Sequence, residues 1–282
     1  MTLQPGPTMT LDEAVRVIRA DPEMQDLVRD AHLGRDVADS YRRFAASAEF
    51  AEIVAILGGV RGREILDLGS GTGIAASAFA GAGARRVVAV EPDPSDEIGR
   101  GAMARAGLAC EIVDAQGERL PFPDGSFDIV YCRQVLHHAA DLDRLVAEVA
   151  RVLRPGGTFL ATREHVVRSP AELETFLAGH PEHVLAGGEH AFGLDEYVRA
   201  IHAARLVLIR PLGPWDSIVN TFPEVPDDAA LHAVWTGVFR ERFGRFAWLA
   251  ARLPGARRRA SLWYTDKMWV PGALYSFLCL KP

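Results

Sequence analysis

The residues best suited to chemistry lie around Glu64-Ile-Leu-Asp-Leu-Gly-Ser-Gly-Thr-Gly-Ile-Ala76. Ile65, Leu66 and Leu68 frame one acid, Asp67, and then come Gly69, Ser70, Gly71 and Gly73. Glycines let a backbone approach a ligand that a Cβ would exclude. The free N–H groups of a following helix suit a polar or anionic group. About 20 residues on, Glu91 and Pro92 end an apolar run, placing a carboxylate where it can accept from both hydroxyls of a ribose. A dinucleotide fingerprint needs glycine at its sixth position, and Ile74 stands there. Further along, Glu164, His165, His180, Glu182, His183, Glu189 and His190 mix imidazole with carboxylate. Such groups can move protons or hold a divalent ion. Their spacing matches no strict ligand pattern, so no metal is expected.

The elements that must position these groups follow from periodicity. Short buried strands are expected at 64–68, 86–90, 110–113, 127–132 and 158–162, alternating with helices, and two more at 206–212 and 274–280. Before them, helices are expected from 11 to 57, the first opened by a Thr10/Glu13 capping box, with Tyr41 to Phe44 as residues that could face the site. Leu153-Arg-Pro-Gly-Gly157 stops the helix 141–153. Strand four delivers Arg133, Gln134, Val135, Leu136, His137 and His138 to the carboxyl edge of the sheet, where open α/β sheets bind ligands.

Composition narrows the class. The chain has 282 residues, 49% hydrophobic and 24% charged, which is ordinary for a globular protein with a full core. Its net charge of −6 argues against a nucleic-acid partner. Cys110, Cys132 and Cys279 lie in apolar runs without zinc spacing, which suits buried thiols in a reducing cytoplasm. The start, Met1 to Thr10, lacks a basic-then-apolar leader pattern, and no apolar run approaches the ~20 residues of a membrane span. A cytoplasmic location is therefore expected, and oligomeric state stays open.

The glycine turn with its internal acid, Asp67, resembles motif I of the class I S-adenosylmethionine-dependent methyltransferases. Asp114-Ala-Gln…Leu120-Pro-Phe-Pro-Asp-Gly-Ser-Phe-Asp-Ile-Val130 and Glu148-Val-Ala-Arg-Val-Leu-Arg-Pro-Gly-Gly157 are similar to later motifs of that family, in order, from about Glu64 to Thr162. The resemblance, to a type 11-like core, implies a Rossmann-like α/β fold. Its seven-stranded sheet would be mostly parallel, with an antiparallel last strand, helices on both faces and a helical cap. It implies S-adenosylmethionine as cofactor and S-adenosylhomocysteine as product. Asp114 would then accept from the adenine amino group, the Ala115 N–H would donate to the ring beside Gln116, and Arg133, Gln134 and Val135 would contact the methionine part.

The last two strands pair through a short hairpin in this family, yet here roughly sixty residues separate them. The expected organisation is an N-terminal helical lid at 1–60, a core at 61–212 and 271–282, and an inserted, substrate-facing cap at 213–270. In the insert, a helix around 231–251 would bury Trp235, Phe239, Phe243 and Phe246 on one face. Seven arginines between Arg240 and Arg259 face one acid, Glu241. They read as a solvated surface, as a site for an anionic acceptor, or as a contact with an anionic membrane.

The expected activity is methyl transfer to an oxygen of a small-molecule or sugar acceptor. His165, His138 and Glu164 are the candidates for removing the hydroxyl proton. An N- or C-methyltransferase shares the fold with a different nucleophile. From other classes, a non-catalytic S-adenosylmethionine-binding regulator or a nicotinamide oxidoreductase are the alternatives; Ile74 and Asp114-Ala-Gln speak against the latter.

Overall fold

The computed structural model describes residues 9–30, 33–108 and 110–282. Eight strands form one sheet: β1 (Glu64–Leu68), β2 (Arg86–Val90), β3 (Glu111–Val113), β4 (Phe127–Arg133), β5 (Leu153–Val167), β6 (Phe192–Gly193), β7 (Val207–Leu212) and β8 (Ala273–Leu280). The order is β3-β2-β1-β4-β5-β8-β7, with the short β6 beside β5. β1 to β5 run parallel, and β8 is antiparallel to both its neighbours. The strand order reverses between β1 and β4, which opens a crevice at their carboxyl ends.

The strands are apolar on both faces because helices cover both. Leu66, Leu68, Val88, Val130 and Cys132 point into one core, packed by the helices Leu142–Val152 and Leu194–Ala203. Their alternates Ile65, Val87, Ala89, Ile129 and Tyr131 point into the other, packed by Ala48–Ile56 and Ile74–Gly81. The N-terminal helices follow their caps. The Thr10/Glu13 capping box opens Leu11–Ala20, Asp36 caps Val37–Ala45 and Ser47 caps Ala48–Ile56. Of the expected lid at 1–60, residues 1–8 and 31–32 lie outside the described residues.

Several elements differ from expectation, and the two-residue β6 makes the sheet eight-stranded rather than seven-stranded. β5 extends from Leu153 to Val167, beyond the expected 158–162, because Leu153 already pairs with Phe127 and the far end pairs with β6 and β8. The expected helix 231–251 is Asp228–Phe243, broken at Gly244 with φ +51. Trp235 and Phe239 are therefore buried, Phe243 packs on Phe239 and Trp263 at the surface, and Phe246 is more than half exposed. A separate helix, Ala256–Lys267, carries Arg257, Arg258 and Arg259; its charge hid it from the periodicity argument. The insert has its own core of Ile218, Leu231, Trp235, Phe239 and Ala260. It packs on the body through Ile218–Asn220, against Ala48–Ile56, β5 and β8.

One buried ion pair joins the lid to the sheet. Arg133, at the end of β4, donates Nε to Glu49 at 2.8 Å, with the two side chains 10% and 1% exposed. Removing one partner of such a pair leaves an uncompensated buried charge, which costs about 3–5 kcal/mol. Glu49→Ala is expected to lower unfolding free energy by about that amount in a urea titration. Replacing both Glu49 and Arg133 with Met should recover part of the loss.

Candidate functional site

A cavity of about 810 Å³ opens at the carboxyl ends of β1, β2, β4 and β5. Its floor is Asp67 to Thr72, its sides are Glu91, Pro92, Ala115, Gln116 and Arg133 to Val135, and His137, His138 and His165 close one end. Leu11, Val15, Leu27 and Leu33 of the N-terminal segment form an apolar roof beside His180, Pro181, Glu182 and Glu189.

The floor depends on glycine. Gly69 has φ +63, and a Cβ there would lie 2.6 Å from Val135 Cγ2. Gly73 has φ +83, and its Cβ would lie 2.6 Å from Leu108. Left-handed backbone and close packing coincide at both, so no other residue fits. Asp67 accepts from the Ala76 N–H at 2.9 Å and so ties the strand to the helix start. The Ser70 hydroxyl donates to the Asp67 carbonyl at 2.7 Å. Tyr41 donates to the Thr72 carbonyl at 2.7 Å. Of the expected lid contacts, Tyr41 thus reaches the turn, whereas Arg42 and Arg43 pair with Asp39 and Phe44 is core.

Glu91 is buried at the tip of β2. One carboxylate oxygen accepts from Gly71 N–H at 2.7 Å and the other from Asp93 N–H at 2.9 Å. Each oxygen keeps a further lone pair. Burial raises the Glu91 pKa, and the two backbone N–H groups oppose that rise. Asp114 is placed differently from its neighbours. It pairs with Arg100 at 2.8 Å with 69% of its side chain exposed, and only Ala115 and Gln116 face the cavity.

The tip of β4 is held from behind. Gln134 has φ +57 and donates its N–H to the Thr162 carbonyl at 2.9 Å. Arg133, which lines the cavity, spends its guanidinium on Glu49 and on the Gln134 side chain. Glu164 is wholly buried and absent from the cavity wall. It accepts from Val135 N–H at 3.1 Å and His137 N–H at 3.2 Å, and from His137 Nδ1 at 2.8 Å. The expectation that Glu164 could act as a base therefore meets a carboxylate buried away from the cavity and already hydrogen-bonded to the backbone. A register irregularity between Ala161 and Glu164, with Arg163 at φ +60, brings it under the β4 tip. Arg163 itself donates to the Val219 and Phe222 carbonyls and ties β5 to the insert.

His165 lines the cavity with Nδ1 2.8 Å from the Gly272 carbonyl. A carbonyl only accepts, so Nδ1 carries the proton and Nε2 the lone pair. Burial, then His137, pushes its pKa down to about 3, and the ring is neutral at ordinary pH. His138 is half exposed, with Nε2 3.9 Å from Glu189. Burial pushes Glu182 and Glu189 up, and Glu182 is raised further by Glu189 beside it. His137 was expected only at the cofactor end; its contacts with Glu164 and Glu189 come from three separate segments, and no local signal announces them.

The insert at 213–270, expected as a substrate-facing cap, stands apart from this cavity's lining. Among the described residues, none of that insert lines the cavity. Its packing on Ala48–Ile56 holds it behind the Glu49–Arg133 pair, and segment 180–189 takes the wall it was expected to form.

Asp67 offers a test of the floor. Burial, with Glu91 adding repulsion, raises its pKa from 3.8 to about 7. The folded chain thus binds this proton more tightly than the unfolded chain. That contribution to stability is complete below the unfolded value and is lost as pH rises through about 7. Between pH 6 and 8 the loss is about 1 kcal/mol. Asp67→Asn is expected to remove this part of the decline, read as the difference between wild-type and variant unfolding free energies across that range.

Residues 66–161 match the family model for a methyltransferase domain. A protein of Mycobacterium sp. (strain JLS) described as an uncharacterized methyltransferase is 36% identical over 204 residues, which cover 70% of this chain and 72% of that one. A solved S-adenosylmethionine dependent methyltransferase from Mesorhizobium loti superposes with TM-score 0.54 at 20% identity, over 84% of this chain and 100% of the other. Geranyl diphosphate C-methyltransferase from Streptomyces coelicolor A3(2), solved with Mg²⁺, geranyl diphosphate and S-adenosyl-L-homocysteine, superposes with TM-score 0.56 at 17% identity, over 95% and 87%. The two solved structures share the fold with this chain, and the mycobacterial relative shares its sequence over most of both lengths. With its glycine turn, its Glu91 tip and its 3-2-1-4-5-8-7 sheet, this chain belongs to the class I S-adenosylmethionine-dependent methyltransferases.

Proposed function

We propose that the cavity holds S-adenosylmethionine over the Gly69–Gly73 turn with its ribose on Glu91, and that the methyl group passes to an oxygen of a small-molecule or sugar acceptor beside His165. The observation that carries this reading is the division of one cavity into two chemical ends. A glycine floor with a buried carboxylate makes one end, and imidazoles make the other. The residues fit the cofactor: Gly69 leaves open a floor that a Cβ would crowd against Val135, and Glu91 retains lone pairs for two hydroxyls. When bound, the cofactor supplies an electrophilic methyl on a sulfonium.

The chain's own residues then align and exclude. Ala115 and Gln116 flank the adenine position, and Asp114 reaches it by turning from Arg100. Gln134 and Val135 bound the methionine part, with Arg133 rigid behind them. The apolar roof of Leu11, Val15, Leu27 and Leu33 keeps water from the path of transfer. His165 is neutral and fixed in the tautomer that leaves the Nε2 lone pair free to accept a hydrogen bond from the acceptor hydroxyl, although burial weakens it as a base. N- or C-methylation also releases a proton, so His165 is compatible with either and does not by itself select oxygen.

S-Adenosylhomocysteine is expected to bind wild type in calorimetry, and Glu91→Ala to weaken binding by about 10-fold or more, the scale of one charged hydrogen bond lost. His165→Gln should keep that affinity while turnover on a hydroxylated acceptor falls about 10²- to 10⁴-fold. Unchanged turnover in His165→Gln would remove the base; nicotinamide binding with no S-adenosylhomocysteine binding would remove the whole reading.

The insert supports a peripheral contact with an anionic lipid surface. Phe246, Trp248, Leu249 and Leu253 are each more than half exposed. Arg245 lies over the Phe246 ring at 4.9 Å and Arg252 over Trp248 at 5.1 Å, and Arg257 to Arg259 follow on the next helix. Aromatic rings with long basic side chains suit an interface of headgroups and acyl chains. The chain is expected to sediment with vesicles containing phosphatidylglycerol at low salt and not with phosphatidylcholine alone. A Trp248→Glu, Leu249→Glu double variant should stay in solution, and wild type doing the same would end this reading.

A further inference from the structure

His137, His138 and Glu189 bring three potential metal donors together in the cavity wall, with all three donor atoms within 4.8 Å of one another. His137 Nε2 lies 3.6 Å and His138 Nε2 3.9 Å from the same Glu189 oxygen. Ligands bonded at about 2.0–2.1 Å in a tetrahedron stand about 3.4 Å apart, so both imidazoles already lie within about half an ångström of that spacing from Glu189, and closing the whole trio on one ion needs only side-chain adjustment. The Glu189 side chain is 6% exposed, in a wall that has no arginine or lysine paired with it among the described residues. A second trio, His180, Glu182 and Glu189, shares that carboxylate, and His180 Nδ1 is buried without a hydrogen-bond partner.

An independent feature fixes the direction of His137. Glu164 accepts two backbone N–H groups and lies 2.8 Å from His137 Nδ1, so the ring proton is on Nδ1 and the lone pair is on Nε2, the atom nearest Glu189. A buried carboxylate behind a histidine whose other nitrogen faces a second donor is the outer shell of a metal-binding imidazole. Two imidazoles and one carboxylate, with no thiolate, suit a borderline divalent ion such as zinc or cobalt.

We propose that His137, His138 and Glu189 bind one divalent transition-metal ion, with Glu182 and His180 beside it, and that a remaining position takes an oxygen of the methyl acceptor. Metal binding stands on the cluster alone; the acceptor's place on the ion rests on the methyl-transfer reading. An ion there would lower the pKa of a coordinated hydroxyl and hold it against the donor end of the cavity. The acceptor class it selects is a molecule presenting a hydroxyl, or two neighbouring oxygens, as ligands.

The test is a cobalt(II) titration of the full chain, freed of metal by chelation, followed by visible absorption and by calorimetry with S-adenosylhomocysteine on the same samples. One equivalent of cobalt with visible d–d bands is expected for wild type. Glu189→Gln and His138→Ala should each weaken cobalt binding by about 10-fold or more, and Glu164→Gln by about 10- to 100-fold, the effect of an outer-shell partner. Each variant should still bind S-adenosylhomocysteine, which reports that it folds. His190→Ala, outside both trios, should leave cobalt binding unchanged. Absence of d–d bands, or cobalt binding indifferent to Glu189→Gln and His138→Ala, would overturn the proposal. Loss of S-adenosylhomocysteine binding in wild type with cobalt binding intact would instead remove the methyl-transfer reading and leave the metal site.

Discussion

The carboxylate of Glu164, buried beneath the tip of β4, is the constraint on which the site depends. Two of its hydrogen bonds go to the backbone at Val135 and His137, and one goes to the His137 ring. Buried acceptors of this kind are costly to leave unsatisfied, so the loop after β4 has one low-energy arrangement. That arrangement places the Val135 side chain against Gly69, where a Cβ would collide with it. The glycine floor and the imidazole end of the cavity are thus held in register by one side chain from β5.

A second layer stiffens the same edge. Arg133 and Glu49 join the last turn of β4 to the lid helix, and Arg163 joins β5 to the insert. Neither guanidinium is free to serve as a mobile cation for a ligand. Arg144 also lines the cavity, with its Nε donated to the Glu118 carbonyl; further titratable groups there are Asp67, Glu91, Glu182, Glu189, His137 and His165. Burial works against charge on each of these carboxyls and imidazoles. A cavity so composed favours ligands that bring protons or positive charge, and a sulfonium donor brings the latter.

The insert shows how a fold can add surface without altering its site. It enters between β7 and β8, builds its own core around Trp235, and docks on the lid helix away from the cavity. Segment 180–189, which follows β5 and packs on the first helix, lines the cavity instead. The arginines and exposed aromatics belong to the insert, none of whose residues lines the cavity.

The sequence by itself determined the sheet core, the first five strands in order, the glycine turn and the Glu91 tip. Those signals are local. Periodicity of two with apolar residues on both faces specifies a covered parallel strand, and glycine followed by a small-residue helix specifies the turn. The capping residues Thr10, Asp36 and Ser47 likewise announce their helices within three positions. Tertiary structure decided the rest. A register irregularity before Glu164 brings its carboxylate under the β4 tip, and the insert docks on the lid helix. His137 gained its role only when residues 137, 164 and 189 met in space. Such contacts depend on register shifts and on which surface an independent core buries, and neither leaves a pattern in neighbouring residues.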